Sequence, residues 1–261
     1  MAIEGMHTFC WFELATTNTS DALRFYQALF GWTASTVPMG GDMGDYIMLQ
    51  QGDATVGAMF TLTPATGLGH IPPSWNAYVL VQDVDASARR AQELGATIMK
   101  PAFDVMEMGR MAVLQDPTGA VINLWQAKGA GAQASIDHRA PGRVCWCEQQ
   151  SRDVEAASQF YAKLFGWRLD RKGDDYIQIF ADAAPLGGFF DLTTQPQLAH
   201  VPACWVLYFA SDDVDASAHR VKELGGQIHM PPMDMEGVGR MAVVADPQGA
   251  AFVLFRLSDE H

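Results

Sequence analysis

The sequence predicts an α+β fold of four βαβββ modules, paired into two similar domains built on mixed β-sheets. Three observations carry this expectation. First, CWFELATTNTSDALRFYQALFGW from Cys10 returns as CWCEQQSRDVEAASQFYAKLFGW from Cys145, so Trp11, Glu13, Phe25, Tyr26, Gly31 and Trp32 recur as Trp146, Glu148, Phe160, Tyr161, Gly166 and Trp167, 135 residues on. Second, the segments that begin at Gly69 and Asp104 return from Ala199 and Asp234, at a spacing of 130. Third, each copy alternates short strand-like runs with two amphipathic helical patterns. A period this long is a repeated domain and not a solenoid repeat.

The elements follow in order. HTFCWFELAT is short and aromatic-rich, as a strand is, and leads into the polar capping cluster Thr17 to Ser20. Ala22, Phe25, Tyr26, Leu29 and Phe30 then fall at helical spacing, and Gly31 suits the left-handed stop. Asp45 to Gln51 and Thr55 to Leu62 read as a hairpin around Gly52-Asp53. The second module opens on the strand WNAYVLVQ; Asp85 is expected to cap the helix ASARRAQEL, which Gly95 ends. Its last strands, MAVLQ and AVINLWQ, are joined by Asp116-Pro117-Thr118-Gly119, where Pro presets φ and Gly supplies φ > 0. Residues 129–143, GAGAQASIDHRAPGR, have no period and read as a linker between a first domain, 1–128, and a second, 144–261.

Charge limits the partners. Lys plus Arg number 17 against 30 Asp plus Glu, and a net charge of −13 repels nucleic-acid phosphates and anionic lipid alike. No apolar run has the length of about 18 residues that a membrane span needs, and MAIEGMHTF lacks the pattern of a secretion signal, so a cytoplasmic setting is expected. Cys10, Cys145, Cys147 and Cys204 show no CxxC spacing, sit in strand-like runs and read as buried thiols. No GxSxG elbow, phosphate loop or GxGxxG follows a strand.

The FYxxLFGW helix ending, the VDASAxRxxELG helix and the GRMAVxxDPxGA hairpin together resemble the vicinal oxygen chelate superfamily, which includes glyoxalase I, bleomycin-resistance proteins and extradiol dioxygenases. The resemblance spans nearly the whole chain. It implies two glyoxalase-like domains whose curved sheets close around a cleft, where a divalent metal is often held by His or Glu from the first and last strands of the paired modules. Matched onto this sequence by counting from the helix and turn motifs, those positions fall on Trp11, Asn76, Asn123 and the run Gly57, Ala58, Met59; in the second half they fall on Trp146, Val206, Val253 and residues 186–189. None is His, Asp, Glu or Cys, and neutral amides alone bind divalent cations weakly. No metal and no other cofactor is expected.

Other residues carry candidate chemistry. Alternation puts Glu13 and Glu148 on the face of Trp11 and Trp146, where a desolvated carboxylate can act as general base or acceptor; the plainer role is a structural Glu bonded to backbone amides. Arg110 and Arg240 could clamp a substrate carboxylate, or pair with Asp104 and Asp234 to fix a loop. His70 and His200 read as turn residues. Tyr78 and Trp125 lie two residues beyond Asn76 and Asn123 and offer a flat wall for a planar ligand, with Tyr208 as the counterpart in the second half.

The expectation is therefore a protein that binds a small organic molecule in its first half through Trp11, Glu13, Asn76, Tyr78, Arg110, Asn123 and Trp125, with Glu13 as the candidate catalytic group. The second cleft, with Trp146, Glu148, Tyr208 and Arg240, is the lesser candidate, because Val206 and Val253 replace its amides. Two alternatives stand: a metal-dependent lyase or extradiol-type dioxygenase, and a structural or interaction protein with filled clefts. A monomer suffices geometrically, and a homodimer is optional.

Overall fold

The computed structural model describes residues 5–38, 44–64, 69, 71–129 and 135–258. It has the expected order of strand, helix and three strands, four times over. The first half comprises β1 (Phe9–Thr16), α1 (Thr19–Phe30), β2 (Thr33–Pro38), β3 (Asp45–Gln51) and β4 (Ala54–Thr61), then β5 (Ser74–Leu80), α2 (Val84–Glu93), β6 (Thr97–Val105), β7 (Gly109–Gln115) and β8 (Val121–Ala127). The second half repeats this as β9 (Val144–Ser151), α3 (Val154–Phe165), β10 (Arg168–Lys172), β11 (Tyr176–Ala181), β12 (Ala184–Asp191), β13 (Cys204–Ala210), α4 (Val214–Glu223), β14 (Gln227–Met235), β15 (Gly239–Ala245) and β16 (Ala251–Leu257).

Each half forms one eight-stranded mixed sheet, in the order β2-β3-β4-β1-β5-β8-β7-β6 and β10-β11-β12-β9-β13-β16-β15-β14. The two first strands of a half are thus central, and the outer strand β2 is exposed along its whole length, which suits its polar sequence TASTVP.

Local chemistry sets the helices. Asn18 caps α1 by accepting from Asp21 N, and Gly31, at φ 71°, ends it with its N–H on Gln27 O. In α2 the cap is Asp83 and not Asp85: Asp83 is extended, and its carboxylate accepts from Ala86 N at 2.8 Å. The sequence Asp83-Val84-Asp85 offers two carboxylates, and the helix begins at the earlier one, which frees Asp85 for another partner.

Close packing groups the modules differently from hydrogen bonding. One compact unit is Trp11–Asn76, Gln133–Trp146 and Leu207–His261; the other is Met1–Cys10, Ala77–Ala132 and Cys147–Val206. In the first of these, Tyr26 stacks on Trp32 at 5.4 Å, meets Trp75 edge-on at 5.4 Å, and donates its hydroxyl to Asp246 Oδ2 at 3.1 Å, while the Trp75 indole N–H donates back to the Tyr26 oxygen at 2.9 Å. In the other, Tyr161 donates to Asp116 Oδ2 at 3.0 Å and accepts from Trp205 at 2.8 Å. Both tyrosines are fully buried.

The helix motif FYxxLFGW and the turn motif DPxGA therefore join in one buried contact in each unit. The aspartate is also the hub of its own turn: Asp246 Oδ1 accepts from Gln248 N and Ala250 N, each at 2.9 Å. Buried polar groups are tolerated only when paired in this way. Burial raises the Asp246 carboxyl above its ordinary value, against the pull of these hydrogen bonds.

Candidate functional site

Period-two alternation holds along β1. Phe12 and Leu14 are buried, whereas Trp11 and Glu13 are half-buried on the opposite face. Tyr46 on β3 reaches between these two: the Trp11 indole Nε1–H donates to its hydroxyl at 2.9 Å, and the hydroxyl donates to Glu13 Oε1 at 2.6 Å. Asn76 completes the group, with its amide nitrogen 3.3 Å from Glu13 O and 3.2 Å from Ser74 O. Burial and the Glu13 charge push the Tyr46 phenol well above its usual range, so it stays protonated and acts as donor.

Tyr46 was not among the residues singled out in the sequence. Its signal was there: Asp45-Tyr46-Ile47 recurs as Asp175-Tyr176-Ile177, again at a spacing of 130.

A second set of expected residues meets in the other unit. Tyr78 and Asn123 are partners across the parallel pair of β5 and β8, with Leu80 opposite Trp125. Tyr78 and Asn123 are buried, and the Asn123 amide nitrogen lies 3.3 Å from Ala77 O. The Trp125 ring lies against Gly109, where an added β-carbon would be 2.6 Å from Cζ2.

Arg110 does not join either set. Met111 pairs with Trp125 and Arg110 with Gln126, so Arg110 points to the opposite face from the Trp125 ring. There it grips Asp85 of α2 through Nε at 2.7 Å and Nη2 at 3.0 Å, with Asp104 at 3.4 Å. This fork holds Asp85 below the usual carboxylate range. Arg240 repeats the arrangement on Asp215 at 2.6 and 2.8 Å, with Asp234 at 2.9 Å. The loop-fixing role anticipated for both arginines is thus present, with the helix carboxylate added as the main partner.

In the second half, Glu148 is 6 % exposed and accepts from Gln150 Nε2 at 2.8 Å. Trp146 is half-buried with its ring 6.0 Å from that of His138, and Tyr208 meets Phe255 edge-on at 5.9 Å. Val253 is buried and Val206 half-buried. His200 is exposed in a turn, and His70 lies outside the described residues. The four cysteines are thiols and not disulfides; burial pushes Cys10 and Cys145 up to about 12 and Cys204 to about 11.

Of the matched positions in the first half, those with polar side-chain groups are Trp11, Asn76 and Asn123. The Trp11 and Asn76 nitrogens are hydrogen-bond donors committed to oxygens, as is that of Asn123. Among the described residues no three His, Cys, Asp or Glu side chains come together as ligands. Indole and neutral amide groups alone hold a divalent cation weakly.

Two sheets of paired βαβββ modules, each with an aromatic and polar group on its first strand, define the class. The chain belongs to the Glyoxalase/Bleomycin resistance protein/Dioxygenase superfamily, whose model matches residues 8–124 and 143–254. It is 36% identical over 250 residues to CFP32 of Mycobacterium bovis, provisionally named a glyoxylase, covering 94% of this chain and 93% of that one. It is 31% identical over 265 residues to the anthracycline biosynthesis protein DauV of Streptomyces sp. strain C5, covering 96% and 94%. In fold it resembles the Mn(II)-bound glyoxalase from Novosphingobium aromaticivorans, with a TM-score of 0.65 at 14% identity over 97% of this chain and 83% of that one. Among the described residues, no helix is long and apolar enough to cross a membrane.

Proposed function

We propose that the protein binds a planar, oxygen-bearing organic molecule on the face of the first half that carries Trp11, Tyr46, Glu13 and Asn76, without a divalent cation at the family's ligand positions. The supporting observation is the line from the Trp11 indole N–H through the Tyr46 hydroxyl to the Glu13 carboxylate, at 2.9 and 2.6 Å. It places an aromatic surface and a carboxylate side by side, half open to solvent, at the position where the resemblance implies a metal ligand. A flat ring stacks on the indole, and a ligand hydroxyl donates to the carboxylate, an arrangement typical of apolar sites with a few placed polar groups.

The name of DauV guides the choice of ligand class, since anthracyclines are planar and carry phenol and quinone oxygens. The Tyr78, Asn123 and Trp125 group is proposed as a ligand wall in its own unit. The halves 1–128 and 144–261 are taken as two domains joined by 129–143, in a cytoplasmic monomer or homodimer.

A second reading makes Glu13 a general base, held in a fixed orientation by the bond from Tyr46. A thermal-shift titration with an anthracycline tests binding. A ligand of the native state adds about 2.7 kcal/mol at a hundredfold excess over its dissociation constant, so the unfolding midpoint is expected to rise with concentration. An unchanged midpoint up to millimolar anthracycline would overturn the reading, and chemical change in the recovered ligand would favour catalysis by Glu13.

A further inference from the structure

At the strand residue paired with the glutamate, the two copies of the tyrosine–glutamate group differ by one methyl. In the first, Glu13 on β1 is paired with Ala58 on β4; in the second, Glu148 on β9 is paired with Gly188 on β12. Tyr46 and Tyr176 hold the same place on β3 and β11, each across from a phenylalanine, Phe60 and Phe190.

Tyr176 lies down on residue 188. A β-carbon built on Gly188 would run into the Tyr176 hydroxyl oxygen and Cζ and would sit 2.7 Å from Cε1. The ring thus occupies the space that the Ala58 methyl fills in the first copy. Gly188 does not need to be glycine for its backbone, since no positive φ is recorded there; it leaves room for the phenol. Beside it, Glu148 is only 6 % exposed, and Gln150 holds one of its oxygens at 2.8 Å. In the first copy residue 58 carries a methyl, and the Tyr46 hydroxyl stands between Trp11 and Glu13, with all three side chains half-buried.

We propose that the second copy of the site is shut by its own tyrosine, and that residues 58 and 188 are the positioning residues that decide which copy is open: Ala58 holds Tyr46 upright, and Gly188 lets Tyr176 fold over Glu148. If the ligand reading of the first copy holds, on which this consequence rests, the chain has one such binding position and not two.

Carboxylate amidation by a water-soluble carbodiimide with glycinamide, quantified by peptide mass spectrometry on the folded full chain, tests this without any ligand. In the unaltered protein Glu13 is expected to label faster than Glu148. Tyr176→Ala removes the cover and should raise Glu148 labelling about tenfold, since reactivity follows exposure; Gly188→Ala should do the same by displacing the ring. Ala58→Gly should slow labelling of Glu13. Tyr176 is half-exposed, so Tyr176→Ala is the variant that decides if Gly188→Ala fails to fold. Equal labelling of Glu13 and Glu148 in the unaltered chain, or Glu148 labelling unchanged in folded Tyr176→Ala, would overturn the proposal. Failure to bind an anthracycline would refute the ligand reading and leave the labelling result standing.

Discussion

Tyr46 donates its phenolic hydrogen to Glu13 across 2.6 Å, a length typical of a hydrogen bond to a charged acceptor. The two residues come from strands that are not neighbours, β3 and β1, with β4 between them. Ala58 on that intervening strand is the residue paired with Glu13. This contact converts a strand-borne carboxylate into an oriented acceptor.

Removal of the phenolic oxygen tests that orientation. Tyr46→Phe is expected to weaken anthracycline binding about tenfold, or roughly 1.4 kcal/mol, with little loss of stability because the group is half open to solvent. Trp11→Ala should cost more, since it removes both the stacking surface and the indole donor. Isothermal calorimetry checks both, and unchanged affinity in Tyr46→Phe would separate the relay from binding.

The buried contact between the helix and turn motifs carries stability instead. Tyr26→Phe leaves the Asp246 Oδ2 and Trp75 N–H partners without their hydroxyl, and about 1–3 kcal/mol is expected to be lost in urea unfolding. Tyr161→Phe should lose a similar amount through Asp116 and Trp205. A loss below about 0.5 kcal/mol in both would show that the hydroxyls are dispensable.

Alkaline titration reads the same groups. The phenols of Tyr26, Tyr46 and Tyr161 are all raised well above their ordinary value, chiefly by burial. A raised folded-state pKa contributes stability that is present below the unfolded value of about 10 and is lost as pH rises through the folded one. Phenolate absorbance is expected from no more than three of the six tyrosines until the protein unfolds in alkali. Reversible ionisation of more than three in the folded protein would contradict this.

Acid reads the arginine clamps. Asp85 and Asp215 are held low by hydrogen bonds from Arg110 and Arg240. Depressed carboxylates contribute stability above their unfolded pKa of about 3.9, and it is lost as pH falls through the lower folded value. Arg110→Ala should return Asp85 toward its ordinary titration, seen by NMR, without changing anthracycline affinity. An affinity loss would return Arg110 to the ligand site.

Much of the fold was legible in the residues. The repeat from Phe25 to Trp32 and from Asp116 to Gly119 fixed module number and order because helix stops and tight turns depend on local chemistry, such as the left-handed Gly31. The site was legible only along single strands: alternation placed Trp11 and Glu13 on one face, as found. Tyr46 was missed because its role arises across three strands, which no local pattern records. Arg110 went to the other face for a related reason. Its loop-to-strand entry gave no parity until the pairing of Met111 with Trp125 supplied it. The assignment of the α2 cap to Asp85 failed because two aspartates two residues apart compete for one helix start.

The most direct measurement pairs elemental analysis with ligand affinity before and after chelation. For protein purified without chelator and dialysed, substoichiometric Mn, Fe, Ni and Zn and an anthracycline dissociation constant unchanged by EDTA are expected. Stoichiometric metal that survives dialysis and is lost in Glu13→Ala, with binding abolished by EDTA and restored by that metal, would contradict metal-free binding at the Trp11, Tyr46 and Glu13 group.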